Sequence, residues 1–267
     1  MKLKCLFPLA LLLALSPASR AQDNKVIYPV RVSGPFPGSA WVVLGDVTPV
    51  EKQNLIYSSH LEQGRIVFDR RTITVEPYFA AGWNLDSNGY VWNNEYALQS
   101  GVKLNKSFNH GVISVGTAYA YENRYKAGGE TARQGIAYVE DWFGWNLGED
   151  RTDRFPGSTW ATLGNIAPVE RNNLIGTGYV QQGYVAKRKQ GWWLVPFIEE
   201  TYSADTMRFD WNNFSRTGAG TKVMMAPGVE VGASYVHEHR FRSGLNAGGF
   251  TLFLKLWKGW DLRGNAN

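Results

Sequence analysis

The sequence predicts an all-β protein: an antiparallel transmembrane β-barrel of about 12 strands, formed by two duplicated six-stranded halves. Residues alternate between large apolar and small or polar types over runs longer than the ~5–6 residues of a soluble strand. One long stretch of sequence occurs twice, and the 267-residue chain is rich in aromatic residues, with 11 Trp, 13 Tyr and 13 Phe. Closing such strands into a barrel satisfies their backbone polar groups in lipid and leaves no free edge.

The first 21 residues predict a cleaved secretory signal peptide. Lys2 and Lys4 precede an apolar run from Leu6 to Leu15, and Ser19-Arg20-Ala21 has the small-x-small pattern of a cleavage site. The apolar run is too short for a transmembrane helix, which needs ~20 residues. We therefore expect export and the loss of Cys5, the one cysteine of the chain, with the signal. The mature chain would then have no disulfide and no thiolate metal site.

The repeat predicts the domain organisation. "FPGSAWVVLGDVTPVEKQNLIY" begins at Phe36, and "FPGSTWATLGNIAPVERNNLIG" begins at Phe155, so the spacing is 155 − 36 = 119 residues. Trp92-Asn93-Asn94 recurs as Trp211-Asn212-Asn213 at the same spacing. A long unit present only twice is not a solenoid repeat. We interpret 22–147 and 148–267 as two half-barrel repeats of one domain that follows the signal peptide 1–21.

Each copy provides six predicted strands, and no stretch has a convincing helical period. The tight links at Arg70-Arg71 and Asn109-His110 alternate with longer ones, as periplasmic turns and outer loops do in outer-membrane barrels. Pro77 and Pro196 interrupt strands and predict bulges. The first strand has the weakest pattern, so ten strands remain an alternative, as do two tandem periplasmic β-domains. In the first copy the predicted strands lie near 39–47, 54–69, 72–86, 94–108, 110–125 and 134–147.

The alternation also assigns side chains to the two faces of the barrel wall. Large apolar side chains should face lipid, and tryptophans near the inner strand ends should form an aromatic girdle. His237 and His239 share the apolar face, so the pair is not expected to bind metal. The predicted lipid-facing residues include Leu98, Val102, Tyr119, Tyr235 and Leu254, and the predicted girdle contains Trp142, Trp145, Trp257 and Trp260.

Charged residues on the opposite face are candidates for a site in the lumen. Glu122 and Arg124 are spaced by two and share a face, as do Glu238 and Arg240 in the second copy. If Asn109-His110 is the turn, Glu95 faces Arg124 across the strand pair, and the second hairpin sets Arg216 opposite Glu238. These groups, with Lys103 and Lys222, either form a polar constriction that binds a hydrated solute or a salt-bridge network that only fills the lumen.

Two loops repeat a Trp-Asn-Asn motif. Indole rings stack on sugars and asparagine pairs with hydroxyls, but the same residues also suit a turn with an interfacial anchor. The sequence offers no catalytic residue, metal site or cofactor, although Ser58, His60 and Glu62 share one parity and permit a single lumenal hydrolase site. The candidate substrate-binding residues, in the lumen or at its rim, are Glu95, Lys103, Glu122, Arg124, Arg216, Lys222, Glu238, Arg240, Trp92, Asn93, Trp211 and Asn212.

The strand pattern resembles that of Gram-negative outer-membrane β-barrels. The segments "LGNIAPVERNN" and "FDWNN" resemble barrel regions of bacterial exopolysaccharide-export and phage-adsorption outer-membrane proteins. This resemblance implies an outer-membrane location and passage or surface presentation of a carbohydrate polymer or other hydrophilic solute. The implied partners are outer-membrane lipid, polysaccharide and periplasmic export components; no nucleic acid partner is expected. The alternatives are a periplasmic tandem carbohydrate-binding protein and an outer-membrane barrel enzyme acting on lipid or polysaccharide, and a non-enzymatic role is favoured.

Overall fold

A computed structural model describes residues 34–45, 48–146, 154–225 and 228–262, and the predicted signal peptide lies outside these ranges. The described strands all belong to one antiparallel sheet, and its first strand pairs with its last. The first half contributes β1 (Pro37–Gly45), β2 (Ile56–Gly64), β3 (Phe68–Arg70), β4 (Ile73–Asp86), β5 (Glu95–Phe108), β6 (Gly111–Arg124) and β7 (Thr131–Asn146). The second half contributes β8 (Pro156–Gly164), β9 (Ile175–Gly183), β10 (Lys187–Lys189), β11 (Trp192–Asp205), β12 (Phe214–Met225), β13 (Val229–Arg240) and β14 (Asn246–Asp261).

The described strands form a closed barrel of twelve long strands, as the sequence predicted. β3 and β10 are short extensions that pair only with β4 and β11. The halves meet at two seams, β7 with β8 and β14 with β1. The alternatives of two tandem domains and of ten strands are therefore wrong. The predicted strand at 54–69 is divided into β2 and β3, and between them the backbone N–H groups of Arg65 and Val67 still donate to β4, each at 3.0 Å.

Both interior prolines lie in unbroken strands. The pairing of β4 with β5 runs through Pro77, which faces Val102, so β4 has no bulge on that side, whereas on its other side the register moves by one residue between Gly64 opposite Tyr78 and Phe68 opposite Val75. On its other side β2 pairs with β4 only as far as Gly64 opposite Tyr78. The Pro77 carbonyl still accepts from the Arg65 N–H at 3.0 Å, so the missing N–H of Pro77 lies where the register with the neighbouring strand changes. Pro196 lies in the same position beside the end of β9.

The connections differ at the two ends of the barrel. At one end, which we call the loop end, strands are joined by longer segments that include 3₁₀ turns at Pro49–Glu51, Val91–Asn93, Pro168–Glu170 and Asp210–Asn212. The other end, which we call the turn end, includes the two-residue turn between Phe108 and Gly111. No helix in the described part of the chain is long and apolar enough to cross a membrane.

The outer face of the wall is apolar. Val102, Tyr119 and Tyr235 point outward and are exposed, as predicted, whereas Leu98 and Leu254 point outward but are half-buried. Other exposed outward side chains are Leu104, Val115, Val139, Ile198, Val231, Phe250 and Leu252. This band suits a lipid environment.

Aromatic pairs flank the apolar band at both ends. Tyr96 packs on Tyr121 near the loop end, and Phe108 packs on Phe143 near the turn end, each with ring centroids 5.7 Å apart. Trp260 also points outward, and its indole donates a hydrogen bond to Gln63 at 2.8 Å. The girdle prediction holds for Trp145 and Trp260 and is wrong for Trp142 and Trp257, which have the opposite parity and face the barrel interior.

Candidate functional site

Four aromatic rings stack at the loop end. Trp92 and Trp211 lie face to face, with ring centroids 5.1 Å apart and planes 3° from parallel. Tyr90 covers the other face of Trp92 at 4.9 Å, and Phe209 covers the other face of Trp211 at 4.7 Å. We call these four residues the ring column. Each indole therefore stacks on two other rings of the column.

Short turns and asparagine side chains position each half of the ring column. In the first half, the turn Val91–Asn93 carries Trp92, and Asn94 follows it with 1% exposure. The Asn94 amide donates to Asp86 Oδ1 at 2.5 Å and to the Tyr90 carbonyl at 2.7 Å. Buried amides satisfied in this way fix the turn. The second half makes the same two bonds, both at 2.6 Å, among Asn213, Asp205 and Phe209.

A buried glutamate lies against each indole. Glu51 accepts hydrogen bonds from Asn54 at 2.7 Å, Asn93 at 2.9 Å and the Trp92 indole at 3.4 Å. The Thr48 hydroxyl also donates at 3.4 Å, and the charged donor comes from the second half, because Arg240 Nη2 lies 3.0 Å from Glu51 Oε1. The carboxylate of Glu51 is thus compensated by a charge from the other repeat.

Glu170 has the same environment in the second half. It accepts from Asn173 at 2.8 Å, Asn212 at 2.7 Å and the Trp211 indole at 3.1 Å. Its charged partner is Arg124 of the first half, at 2.8 Å. Each arginine therefore pairs with a glutamate of the other half, and this contact links the strand that carries the arginine to the opposite repeat. Charge-assisted bonds of this type are roughly twice as strong as neutral ones.

The predicted register of both hairpins is confirmed. Glu95 faces Arg124 across β5 and β6, and Arg216 faces Glu238 across β12 and β13. Arg124 Nε lies 3.4 Å from Glu95, and Arg216 Nε lies 3.1 Å from Glu238. Each arginine that reaches across also contacts the glutamate two residues before it, Arg124 with Glu122 at 2.9 Å and Arg240 with Glu238 at 3.0 Å.

These charges and the ring column pack together at the loop end, and we call them the loop-end seal. Glu238 is 0% and Glu122 is 3% exposed, so this network has little contact with solvent. In this conformation the geometry is that of a packed salt-bridge network rather than an open constriction. A substrate-binding role for its members stays a prediction. The seal consists of Tyr90, Trp92, Trp211 and Phe209 with Glu51, Glu95, Glu122, Arg124, Glu170, Arg216, Glu238 and Arg240.

A cavity of about 890 Å³ occupies the barrel interior, and aromatic rings line two sides of it. On one side Trp41 pairs with Trp257 and with His60 on the neighbouring strands, and its ring stacks on that of His60 at 5.8 Å. On the other side Trp160 pairs with Trp142 and with Tyr179, and it stacks on Tyr179 at 5.9 Å. We call these two groups the aromatic arcs. They occupy equivalent positions in the two copies of the repeat.

Polar side chains lie between the aromatic arcs. Lys103 and Lys222 face inward, as predicted. Lys103 contacts Glu62 and lies 5.2 Å from the centroid of the Tyr78 ring. Lys222 donates to Gln181 at 2.6 Å and to Glu230 at 3.0 Å. Together, these carboxylates and amines provide both acceptors and donors for a hydroxyl-rich ligand.

The structure separates the predicted site residues into two groups. Ten of them belong to the loop end, and Lys103 and Lys222 face the interior, where Lys103 lines the cavity together with Arg216 of the seal. The four inward tryptophans, Trp41, Trp142, Trp160 and Trp257, were not among the predicted site residues. Trp142 and Trp257 were predicted for the girdle because they lie near strand ends, although Trp142 has the parity of the inward Glu140.

His60, His237 and His239 lie on strands of the barrel wall. His237 and His239 lie on the outer face, and the described residues contain no group of three or more metal-ligating side chains. His60 faces the cavity with Glu62, but the described contacts give His60 a stacking partner, Trp41, and no hydrogen bond to Ser58.

No protein-family model matches the chain, and no curated protein matches it. The solved structures that resemble it include an outer-membrane channel from Pseudomonas putida F1, with a TM-score of 0.44 and 10% identity over 90% of this chain and 100% of that one. The β-domain of the Bordetella autotransporter BrkA aligns with a TM-score of 0.39 and 11% identity, over 84% of this chain and 98% of that one. The KdgM porin aligns with a TM-score of 0.38 and 8% identity, over 82% and 98%.

Proposed function

We propose that the chain is an outer-membrane barrel that binds a carbohydrate in its interior and passes it across the membrane or presents it at the cell surface. The observation that carries this proposal is the pair of aromatic arcs around the central cavity. The C–H groups of a pyranose ring pack on an aromatic face, and its hydroxyl groups need polar partners nearby. The cavity provides both, since Glu62, Lys103 and Glu199 line it together with the rings.

The membrane location is supported by the outer face of the wall. Side chains such as Ile198 and Leu252 are 64% and 71% exposed on strands whose inward faces carry charge. A water-soluble protein of this size rarely exposes so wide a continuous apolar band. A barrel with an apolar exterior, a polar interior and aromatic residues at both rims is the arrangement of outer-membrane barrels.

The loop-end seal determines how transport would occur. A ligand in the cavity reaches the loop end only when the ring column separates, so passage is coupled to a rearrangement of the loops. Surface presentation needs the same opening. In either case a polymer would be delivered from the turn end by another chain, which is the place in this proposal for periplasmic export components.

Titration of intrinsic tryptophan fluorescence tests the carbohydrate site. Purified barrel in detergent is titrated with neutral, acidic and basic oligosaccharides of matched length. We expect saturable quenching, and at least about tenfold weaker binding after Trp41→Ala or Trp160→Ala, since each removes a stacking surface. Trp83→Ala is the matched control, because Trp83 is exposed on the outer face. Equal binding by all three variants would contradict the proposal.

Membrane fractionation tests the location independently. We expect the protein in the outer-membrane fraction and a heat-dependent shift in gel mobility, because a closed barrel resists detergent until it is heated. Recovery in the soluble periplasmic fraction would overturn the proposed location.

A further inference from the structure

A cleft of about 600 Å³ lies at the loop end, where the start of β7 meets the loop that follows β8. None of its lining residues is acidic, and two are arginines. Arg133 is on the outward face of β7, and Arg171 is on the loop. The lining consists of Thr131, Ala132, Arg133, Gln134, Arg171 and Asn172.

The two cleft arginines differ from those of the loop-end seal. Arg124, Arg216 and Arg240 each contact a carboxylate within 3.1 Å. Arg133 and Arg171 are exposed, and no ion pair to either occurs among the described residues. Their guanidinium groups therefore remain available to an external anion.

The cleft is held in shape by hydrogen bonds between the loop and β7. Asn165 Oδ1 accepts from the Ala137 backbone N–H at 2.6 Å, and its amide donates to the Gly135 carbonyl at 3.3 Å. Gln134 in turn donates to the Asn165 carbonyl at 3.2 Å. Asn172 has a φ of 61°, a left-handed conformation that asparagine tolerates better than most residues. A site formed in advance loses less free energy in ordering its own groups when it binds.

The cleft lies at the level of the aromatic residues near the loop end, such as Tyr96 and Tyr121, which we call the loop-end aromatic belt. The guanidinium carbon of Arg133 is 5.3 Å from the centroid of the Tyr121 ring, and Tyr121 pairs with Tyr96 in that belt. Tyrosines of such a belt lie at the depth of the lipid head groups. The free charges of the cleft are thus at the height where a membrane presents its phosphates.

We infer that this cleft binds a phosphate group of an outer-leaflet glycolipid of the lipid A type. Arginine forks match phosphate oxygens in bidentate geometry, and two of them in one cleft complement a dianionic group. The Thr131 hydroxyl and the Asn172 amide add neutral donors. The inference rests on the proposed function, because the outer-membrane orientation places the loop end in the outer leaflet.

The other copy of the repeat lacks this site, which supplies a matched control. Lys52 and Gln53 occupy the positions of Arg171 and Asn172, and Gly248 occupies that of Arg133. The equivalent surface of the other copy therefore has one basic side chain, Lys52, whereas the cleft has two. Lys52→Ala therefore removes a positive charge from an equivalent surface without touching the cleft.

Native mass spectrometry of the detergent-purified full-length barrel tests the site. The probes are bisphosphorylated lipid A, dephosphorylated lipid A and inorganic phosphate. We expect the wild type and Lys52→Ala to retain bisphosphorylated lipid A, and Arg133→Ala/Arg171→Ala to bind it at least about tenfold more weakly. Dephosphorylated lipid A should bind all three equally, and millimolar inorganic phosphate should not displace the lipid.

Each contrary outcome has a distinct meaning. Equal retention of bisphosphorylated lipid A by the double variant overturns the inference. Displacement by inorganic phosphate also overturns it, because the site would then serve a free ion. The heat-dependent gel shift shows that each variant is a folded barrel. A wild type absent from the outer membrane would overturn the proposed function instead, and this is measured before any lipid is added.

Discussion

Trp92 and Trp211, 119 residues apart in sequence, form one parallel stack with centroids 5.1 Å apart, and each half of the barrel provides one of the two rings. The contact joins two loops that no strand pairing connects. The ring column is therefore the element whose removal should most directly change access to the interior.

We expect Trp92→Ala/Trp211→Ala to raise the conductance of the barrel in planar bilayers several-fold. The two indoles fill the loop end, and their removal leaves a gap that water can enter. Trp83→Ala serves as the control, since Trp83 is on the outer face. A double variant as closed as the wild type would show that the charged groups alone block the loop end.

The ion pairs between the two halves, Arg124 with Glu170 and Arg240 with Glu51, predict a large effect of mutation on stability. Arg240→Ala should lower the stability of the barrel by about 3–5 kcal/mol, because it leaves the buried carboxylate of Glu51 without its charged partner and removes one of the two arginines that contact Glu238. Urea unfolding in detergent, followed by tryptophan fluorescence, measures the loss. Arg70→Ala is the control on an exposed turn-end strand and should change stability little.

A double-mutant cycle separates the pair from its members. Arg240→Ala combined with Glu51→Gln should recover part of the lost stability, because the second change removes the uncompensated charge. If the two losses simply add, the cross-half contact contributes nothing of its own and the arginine acts through Glu238.

Cysteine labelling tests the orientation of the barrel. The mature chain is expected to contain no cysteine, so Ala127→Cys and Lys187→Cys each introduce a single thiol. Both positions are exposed, the first on a loop-end connection and the second on β10 at the turn end. A membrane-impermeant maleimide should label position 127 on intact cells and position 187 only after lysis. The reverse pattern would invert the topology.

The sequence predicted the barrel wall in detail because the wall depends on local rules. Strand alternation assigned the inward face of Lys103, and the two-residue turn at Asn109-His110 placed Glu95 opposite Arg124. In an antiparallel hairpin the turn fixes every pairing that follows it. That the halves arose by duplication and fusion stays an interpretation of the repeated sequence.

Contacts between distant strands could not be predicted in the same way. Arg240 meets Glu51 across 189 residues, and that meeting depends on strand tilt and on how far the loops fold inward. Neither quantity follows from side-chain periodicity. Trp142 illustrates a different error, since its place near a strand end predicted a girdle position, whereas it shares the parity of Glu140 and faces the interior.

The lipid-facing surface gives a last prediction, which depends on depth within the membrane. Val102 and Phe108 both point outward from β5, with Val102 near the middle of the strand and Phe108 at its turn-end terminus. Arginine on the lipid face costs ~2–4 kcal/mol at the bilayer midplane and ~0–1 kcal/mol near the interface. Val102→Arg should therefore lower the yield of heat-modifiable barrel in the outer membrane and reduce its stability to urea, whereas Phe108→Arg should assemble nearly as well as the wild type. Because both variants add the same charge to the same face of one strand, only depth distinguishes them. Equal assembly of the two would show that β5 does not cross a lipid core at Val102, and equal failure would place the membrane boundary beyond Phe108.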